Sequence, residues 1–433
     1  MAAVRNRTSD VFGITREIPM NYVVRKAVDA SFIDSLARDK HIVIYGSSKQ
    51  GKTCLRKHCL RDSDYITVHC SNKWSLADLH ANILKRAGYE LTVTSTVASS
   101  GNRKLSAKFG AAIGGVGIGV EGGKETGTQT EVVTKSLELD ADDVNDVIAA
   151  LEQVKFGQFI VLEDFHYLPT ETQKQFSVSL KALHENSRYT FIIIGVWLEE
   201  NRLSVYNGDL TGRITAINAD AWSSDELQEV IKAGEVLLNI EFPEEFCNQL
   251  IDASQGSVYV LQEACYMACT NAGFFHTADQ LTAIGAGVNV AELVKSVVDQ
   301  SKGRYNSFLV SFADGFQTTN LELYRWLLLP VLITPPSELE KGLRLSQINK
   351  YLTANHPHGG NLNPGSVTQA LQYSASLQVK KDIKPIVLDY DQSNLRLNVV
   401  DRGFLIWLRY QRVKDLLDLI GLPEPKKEGL LEL

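Results

Sequence analysis

The run Gly46-Ser-Ser-Lys-Gln-Gly-Lys-Thr53 brings glycine, lysine and hydroxyl side chains to the spacing that holds a phosphate chain. Glycines at 46 and 51 let the backbone turn so that successive N–H groups face an anion. Lys52 adds a point charge beside the terminal phosphates, Thr53 offers a hydroxyl to Mg2+, and the helix opened by the loop directs its positive end at the ligand. The run follows a short apolar segment, His41-Ile-Val-Ile-Tyr45, and precedes the helical Thr53 to Leu60. Gly46, Ser47, Ser48, Lys49, Gln50, Gly51, Lys52, Thr53 and Cys54 are therefore the expected nucleotide-binding set, with ATP and Mg2+ as cofactors. Guanine is disfavoured because no Asn-Lys-x-Asp motif occurs: Asn72-Lys73 is followed by Trp74 and Ser75.

Such a loop needs a carboxylate at the end of a neighbouring strand, and Phe159-Ile-Val-Leu-Glu-Asp164 supplies two. One would hold the metal; the other would orient and deprotonate the attacking water. By register Glu163 takes the metal position and Asp164 the base, but the two roles can be exchanged. Both stand as catalytic and metal-binding candidates, with Asp164 weighted as the more essential. His166 follows closely enough to touch water or metal, although a histidine packed at a strand end is the plainer reading. Arg213, in Leu210-Thr-Gly-Arg-Ile-Thr-Ala-Ile217, is a third catalytic candidate. A cation there can serve the γ-phosphate of a neighbouring subunit as an arginine finger, or be an ordinary structural arginine.

Alternating strands and helices must position these groups. Tyr65–His69 and Phe191–Ile194 read as further buried strands, Ser75 to Ala87 as a helix capped by Ser75, and Thr170 to Glu185 as another helix. The expected fold class is an α/β P-loop NTPase, three-layered with a parallel sheet, carrying a helical lid and a C-terminal winged-helix domain. The expected domains are the ATPase domain at 1–222, the lid and connector at 223–335, the winged helix at 336–415 and a loose tail at 416–433. A Gly-, Ser- and Thr-rich segment at about 90–138 reads as an inserted β-hairpin or flap. Its uncharged part, Gly110 to Gly119, is too short to argue strongly for membrane insertion.

The chain has 433 residues and a formal net charge of -7, which excludes a protein that coats nucleic acid over its whole surface. No stretch approaches a spanning helix and no signal peptide is recognisable, so a cytoplasmic protein without membrane contact is expected. The six cysteines lack zinc spacing and read as reduced thiols. Charge is uneven, however: Lys341 to Lys414 holds eleven Lys or Arg against four Asp. Ser346 to Asn355 and Ser366 to Gln378 read there as helices, and Pro385–Asp389 and Asn394–Val400 as strands joined by the turn Asp391-Gln-Ser-Asn394. A basic winged helix of this kind can lay Ser366 to Gln378 in a major groove with Lys380, Lys381 and Lys384 on phosphates. The expected reading helix carries no Arg or Lys, which leaves contact with a protein partner equally open.

With these parts in order, the chain resembles the prokaryotic AAA+ and STAND ATPases related to origin-recognition proteins, over roughly residues 18 to 412. The resemblance rests on Gly46 to Thr53, Phe159 to Phe165 and Leu395-Arg-Leu-Asn-Val-Val-Asp-Arg-Gly-Phe-Leu-Ile-Trp-Leu-Arg409. It implies an ATPase acting as a molecular switch, in which lid and winged helix close on nucleotide and subunits self-assemble. Tyr22-Val-Val-Arg25 would cover the adenine. The chain departs from the family in its Glu-Asp acidic pair, in Gly195 where a polar γ-phosphate sensor is usual, and in Gly256-Ser-Val-Tyr259, which lacks the arginine of a second sensor. The alternative reading is a DNA-binding loader or target-selecting ATPase. A metabolic kinase is disfavoured by the missing acceptor-site motif.

Overall fold

The computed structural model describes residues 5–93, 104–110, 134–220, 222–317 and 319–425. Five short strands form its central sheet: β1 (His41–Tyr45), β2 (Tyr65–His69), β3 (Phe159–Glu163), β4 (Phe191–Ile194) and β5 (Ile214–Asn218). All pair in parallel in the order β2-β3-β4-β1-β5. Because alternate residues of a strand face opposite ways, Ile42 and Ile44 pack with Phe32 and Leu55 on one face, while Val43 and Tyr45 pack with Leu79, Leu151, Phe176 and Leu180 on the other. Both faces are thus covered by helices, which accounts for the unbroken apolar runs.

β5 is absent from the sequence reading. It is an edge strand with a partner on one side only, and of its five residues only Ile217 is buried. It therefore carries no apolar signature, and it places Arg213 immediately before a strand of the sheet.

Three helices, α1 (Ser224–Leu238), α2 (Glu244–Ser254) and α3 (Val258–Asn271), form the lid. Ser223 caps the first, accepting the N–H of Glu226, whose side chain accepts the N–H of Ser223 in return. Val11, Phe12 and Val23 join this helical core and not the sheet, so the stretch that holds them belongs structurally to the lid.

The same core runs on without a break to Leu422. Pro335-Pro336 is not a seam: helix Leu323–Ile333 packs on helices Lys302–Ala313, Leu345–Asn355 and Val413–Ile420. Nor does residue 416 begin a loose tail, since Leu416, Leu417, Ile420 and Leu422 are buried; residues 426–433 lie outside the described residues.

The C-terminal module sets short helices against three short strands. Helix Leu323–Ile333 is followed by β6 (Leu343–Arg344), helix Leu345–Asn355, helices α4 (Pro364–Gln372) and α5 (Ser374–Lys380), β7 (Leu388–Asp391) and β8 (Arg396–Val399). The strands make an antiparallel sheet ordered β6-β8-β7. Asp391 closes the predicted turn, its Oδ1 accepting the N–H groups of Ser393 and Asn394 at 2.9 Å each. The single helix expected at Ser366–Gln378 is two helices meeting at Tyr373.

Within the inserted segment, Glu90–Val93, Lys104–Gly110 and Thr134–Asp140 form a separate three-stranded antiparallel sheet. Residues 111–133, with nearly all of the uncharged Gly110–Gly119 stretch, lie outside the described residues.

Candidate nucleotide site

The loop from Gly46 to Lys52 leaves the carboxyl end of β1 and turns through backbone that favours glycine. Gly46 has φ +137° and Gly51 φ +81°, and Lys49 between them also has a positive φ, +61°. A Cβ on Gly46 would lie 2.9 Å from the backbone nitrogen of Asp220, so the position is closed to larger residues on two counts. Lys52 opens the helix Lys52–Cys59 and is buried, its Nζ donating to the carbonyls of Gly46 (3.0 Å) and Ser47 (2.5 Å). Burial pushes this ammonium down to about 8, against the pull of Asp220, Glu163 and Asp164. A desolvated cation lying on loop carbonyls is ready to exchange them for phosphate oxygens.

The two acidic residues differ sharply. Glu163 ends β3 and is buried, accepting a hydrogen bond from Arg56 Nε at 3.0 Å. Its carboxyl is raised mainly by burial and drawn back by Arg56. Asp164 is left-handed (φ +59°), a conformation Asp tolerates better than most residues, and lines the cavity beside the loop. Burial raises it too, with His69, Lys52 and Lys384 opposing. Both carboxylates line the cavity, but Glu163 is also held by a cation of its own domain.

That cavity, about 460 Å3, runs from Asp164 past the P-loop to Asn21, Tyr22 and Val23 on one wall and Val258, Tyr259 and Gln262 on the other. It holds Ser48, Lys49, Gln50, Gly51, Lys52, Thr53 and Cys54 of the expected set. Tyr22, Val23 and Arg25, of the segment expected to cover the adenine, line this cavity. Two loop side chains face the lid instead. Gln50 donates to Gly256 O (3.2 Å) and accepts from Val258 N–H (3.4 Å), and Lys49 Nζ stands 3.7 Å from the centre of the Tyr259 ring. The strands Glu90–Val93, Lys104–Gly110 and Thr134–Asp140 form a sheet of their own, apart from the central sheet that carries the loop. Replacing residues 91–138 by a short Gly/Ser linker should therefore change ATP affinity by no more than about twofold, read by titration with a fluorescent ATP analogue. A larger loss would make the segment part of the pocket.

The C-terminal module reaches the same loop. Ser48 N–H donates to Val400 O at 3.0 Å. Two residues on, Arg402 makes a two-pronged contact to Asp220 (3.3 and 3.2 Å), whose Oδ2 also accepts from Ser47 Oγ at 3.0 Å. Arg402 further donates to Gln255 O and Glu340 Oε1, each at 2.8 Å. Beyond the loop, buried Arg202 pairs with Glu199 and with Asp389 of β7, and Ser393 Oγ donates to Glu199.

These contacts correct the expected groove-reading face. Gln378 is buried, its amide spent on the backbone of Val387 and Leu388. Lys380 lies over Phe316 and Lys384 over Tyr167, where the latter's charge bears on Asp164. Asn72 and Thr170 of the ATPase domain bond to Val379 and Ser376 of α5. Half of the predicted reading helix thus faces the sheet domain.

Arg213 does not approach its own phosphate loop. Its carbonyl accepts from His41 N–H at the start of β1, the end of the strand opposite the loop, roughly 16 Å away at 3.3 Å per residue. Its guanidinium donates to Glu185 Oε1 (2.7 Å) and to Asp209 O.

Parallel strand order, a glycine loop after β1 and an acidic pair at the end of β3, the next strand but one, define a P-loop NTPase fold. Similar solved structures include the Walker-type ATPase PABY2304 of Pyrococcus abyssi, with TM-score 0.48 and 13% identity, covering 92% of this chain and 99% of that one. The ORC2 protein of Aeropyrum pernix, in ADPNP–ADP complexes, matches with TM-score 0.45 and 14% identity over 95% and 96% of the chains. The ORC1 protein of the same organism, in complex with DNA, matches with TM-score 0.42 and 10% identity over 96% and 97%. No family model matches the chain, and no curated protein does. At such scores and identities the likeness assigns neither activity nor partner, and the fold stands on the strand order itself. No described helix is long and apolar enough to cross a membrane.

Proposed function

We propose that the chain is an ATP-binding and ATP-hydrolysing switch of the AAA+/STAND kind, in which the state of the phosphate loop governs release of the C-terminal winged helix. The observation that carries this reading is the double engagement of the loop: Ser48 N–H donates to Val400 O, and Ser47 Oγ is tied through Asp220 to Arg402. A loop whose amide is committed to the C-terminal module cannot give that N–H to a phosphate at the same time, so nucleotide and module compete for one donor.

The residues present suit ATP with Mg2+. Lys52 and the loop amides would take the phosphates, and Thr53 and Asp164 would hold the metal, which when bound supplies positive charge against the phosphate oxygens. Asp164, which lines the cavity beside the loop, is also the candidate base toward attacking water. Arg213, remote from its own loop, is available to a neighbouring subunit, which fits self-assembly with shared sites.

The test is Arg402→Ala. The two-pronged pair is largely buried, and losing it should raise nucleotide affinity about tenfold, while deuterium exchange at the Ser48 amide of the nucleotide-free chain rises. Unchanged exchange at Ser48 would show that the module does not guard the loop.

A DNA-loading ATPase is the second reading, favoured by the basic excess between Lys341 and Lys414. With Gln378 spent and Lys384 turned inward, duplex binding through this face would require release of the module first. It predicts DNA affinity that depends on ATP and falls steeply with salt.

A further inference from the structure

Gly195 follows the last residue of β4, and the structure excludes any side chain there. A Cβ on Gly195 would lie 1.6 Å from the ring of Trp197, which is itself fully buried. The place beside the phosphate loop where β4 could offer a polar group is filled by indole. The cavity nonetheless contains a donor on an adjacent element. His166, in the turn after Asp164, is 5% exposed and lines the cavity together with Lys52, Thr53, Asp164 and Gly195. Its Nδ1 accepts the N–H of Val196 at 3.2 Å. An acceptor Nδ1 fixes the neutral tautomer that carries its proton on Nε2, and Nε2 has no hydrogen-bond partner among the described residues although it is buried. A buried donor left unmatched is costly and calls for a ligand.

We infer that His166 Nε2–H donates to the terminal phosphate of a nucleoside triphosphate and so takes the place of the missing polar group on β4. This rests on the ATP-binding reading above and adds to it the residue that tells triphosphate from diphosphate. The backbone partner gives the contact an outlet: Val196 packs in one apolar cluster with Val379, Ile386 and Val400 of the C-terminal module. His166 also lines a second cavity, which Tyr167, Lys380 and Asp389 border between the two domains. A donor drawn toward phosphate pulls on the N–H of Val196, and Val196 abuts the residue whose carbonyl holds the P-loop.

The experiment compares affinity for a non-hydrolysable ATP analogue with affinity for ADP, by calorimetry, in the wild type, His166→Asn, His166→Gln and Lys52→Ala. Asparagine can keep the bond to Val196 N–H through its oxygen but places no donor at Nε2. It should lose roughly tenfold in affinity for the triphosphate while ADP affinity stays within about twofold. Glutamine, whose amide nitrogen reaches the Nε2 position, should recover part of the preference. In the unaltered chain labelled with 15N-histidine, the His166 Nε2–H resonance should shift with the analogue and not with ADP, which tests the contact even if the variants unfold. Equal loss of both nucleotides, no loss of either, or an unmoved resonance overturns the inference while ATP binding stands. A wild type that binds neither nucleotide overturns the ATP reading and this inference with it.

Discussion

Lys52→Ala should lower ATP affinity by about 100-fold or more, because it removes a buried ammonium that would meet two phosphates through charge-assisted hydrogen bonds worth roughly 1.5 to 3 kcal/mol each. The lysine is 8% exposed and already desolvated, so phosphate binding costs it little further hydration. ADP affinity should fall as well, since one of the two phosphates remains. The same variant leaves the carbonyls of Gly46 and Ser47 without their side-chain donor, so the loop should also become more mobile. Titration with a fluorescent ATP analogue reads the affinity, and thermal unfolding checks that the chain is folded. A folded variant that binds ATP as the wild type does would place the phosphates elsewhere than this loop.

The phosphate loop was legible because its chemistry is local. Glycines, lysine and threonine act within eight consecutive residues, and β1, β2 and β4 have the bounds that their apolar runs suggested. Those runs are strong signals since both faces of the sheet are covered. β5 escaped notice for the converse reason: as a half-covered edge it needs no apolar run. The closure of the C-terminal module was illegible for a different reason. Arg402 with Asp220, and Arg202 with Asp389, join residues far apart in the chain, and no spacing rule marks either pair. The basic excess of the module suggested a groove-binding face, but charge counted along a sequence does not say which cations turn inward over Phe316 and Tyr167. His166 was noted only for its nearness to the acidic pair. The missing signal was the orphaned nitrogen, which exists only once the N–H of Val196 is seen to occupy the other one.

The acidic pair, ambiguous by register, is resolved into unequal partners by Arg56. Asp164→Asn should lower ATP turnover by about 100-fold or more, the usual range for a positioned general base, with ATP affinity changed far less. Glu163→Gln should act mainly on stability. It strips a buried guanidinium of its charge partner, and Arg56 already has one nitrogen unmatched, so the expected loss is about 3 kcal/mol. Turnover by the Glu163→Gln chain that remains folded should stay well above that of Asp164→Asn. Steady-state phosphate release, paired with thermal unfolding of each variant, separates the two effects. The reverse pattern, a stable but inactive Glu163→Gln beside an active Asp164→Asn, would mean that Arg56 releases Glu163 when nucleotide binds. The ion pair would then be a latch on the base and not a structural bond.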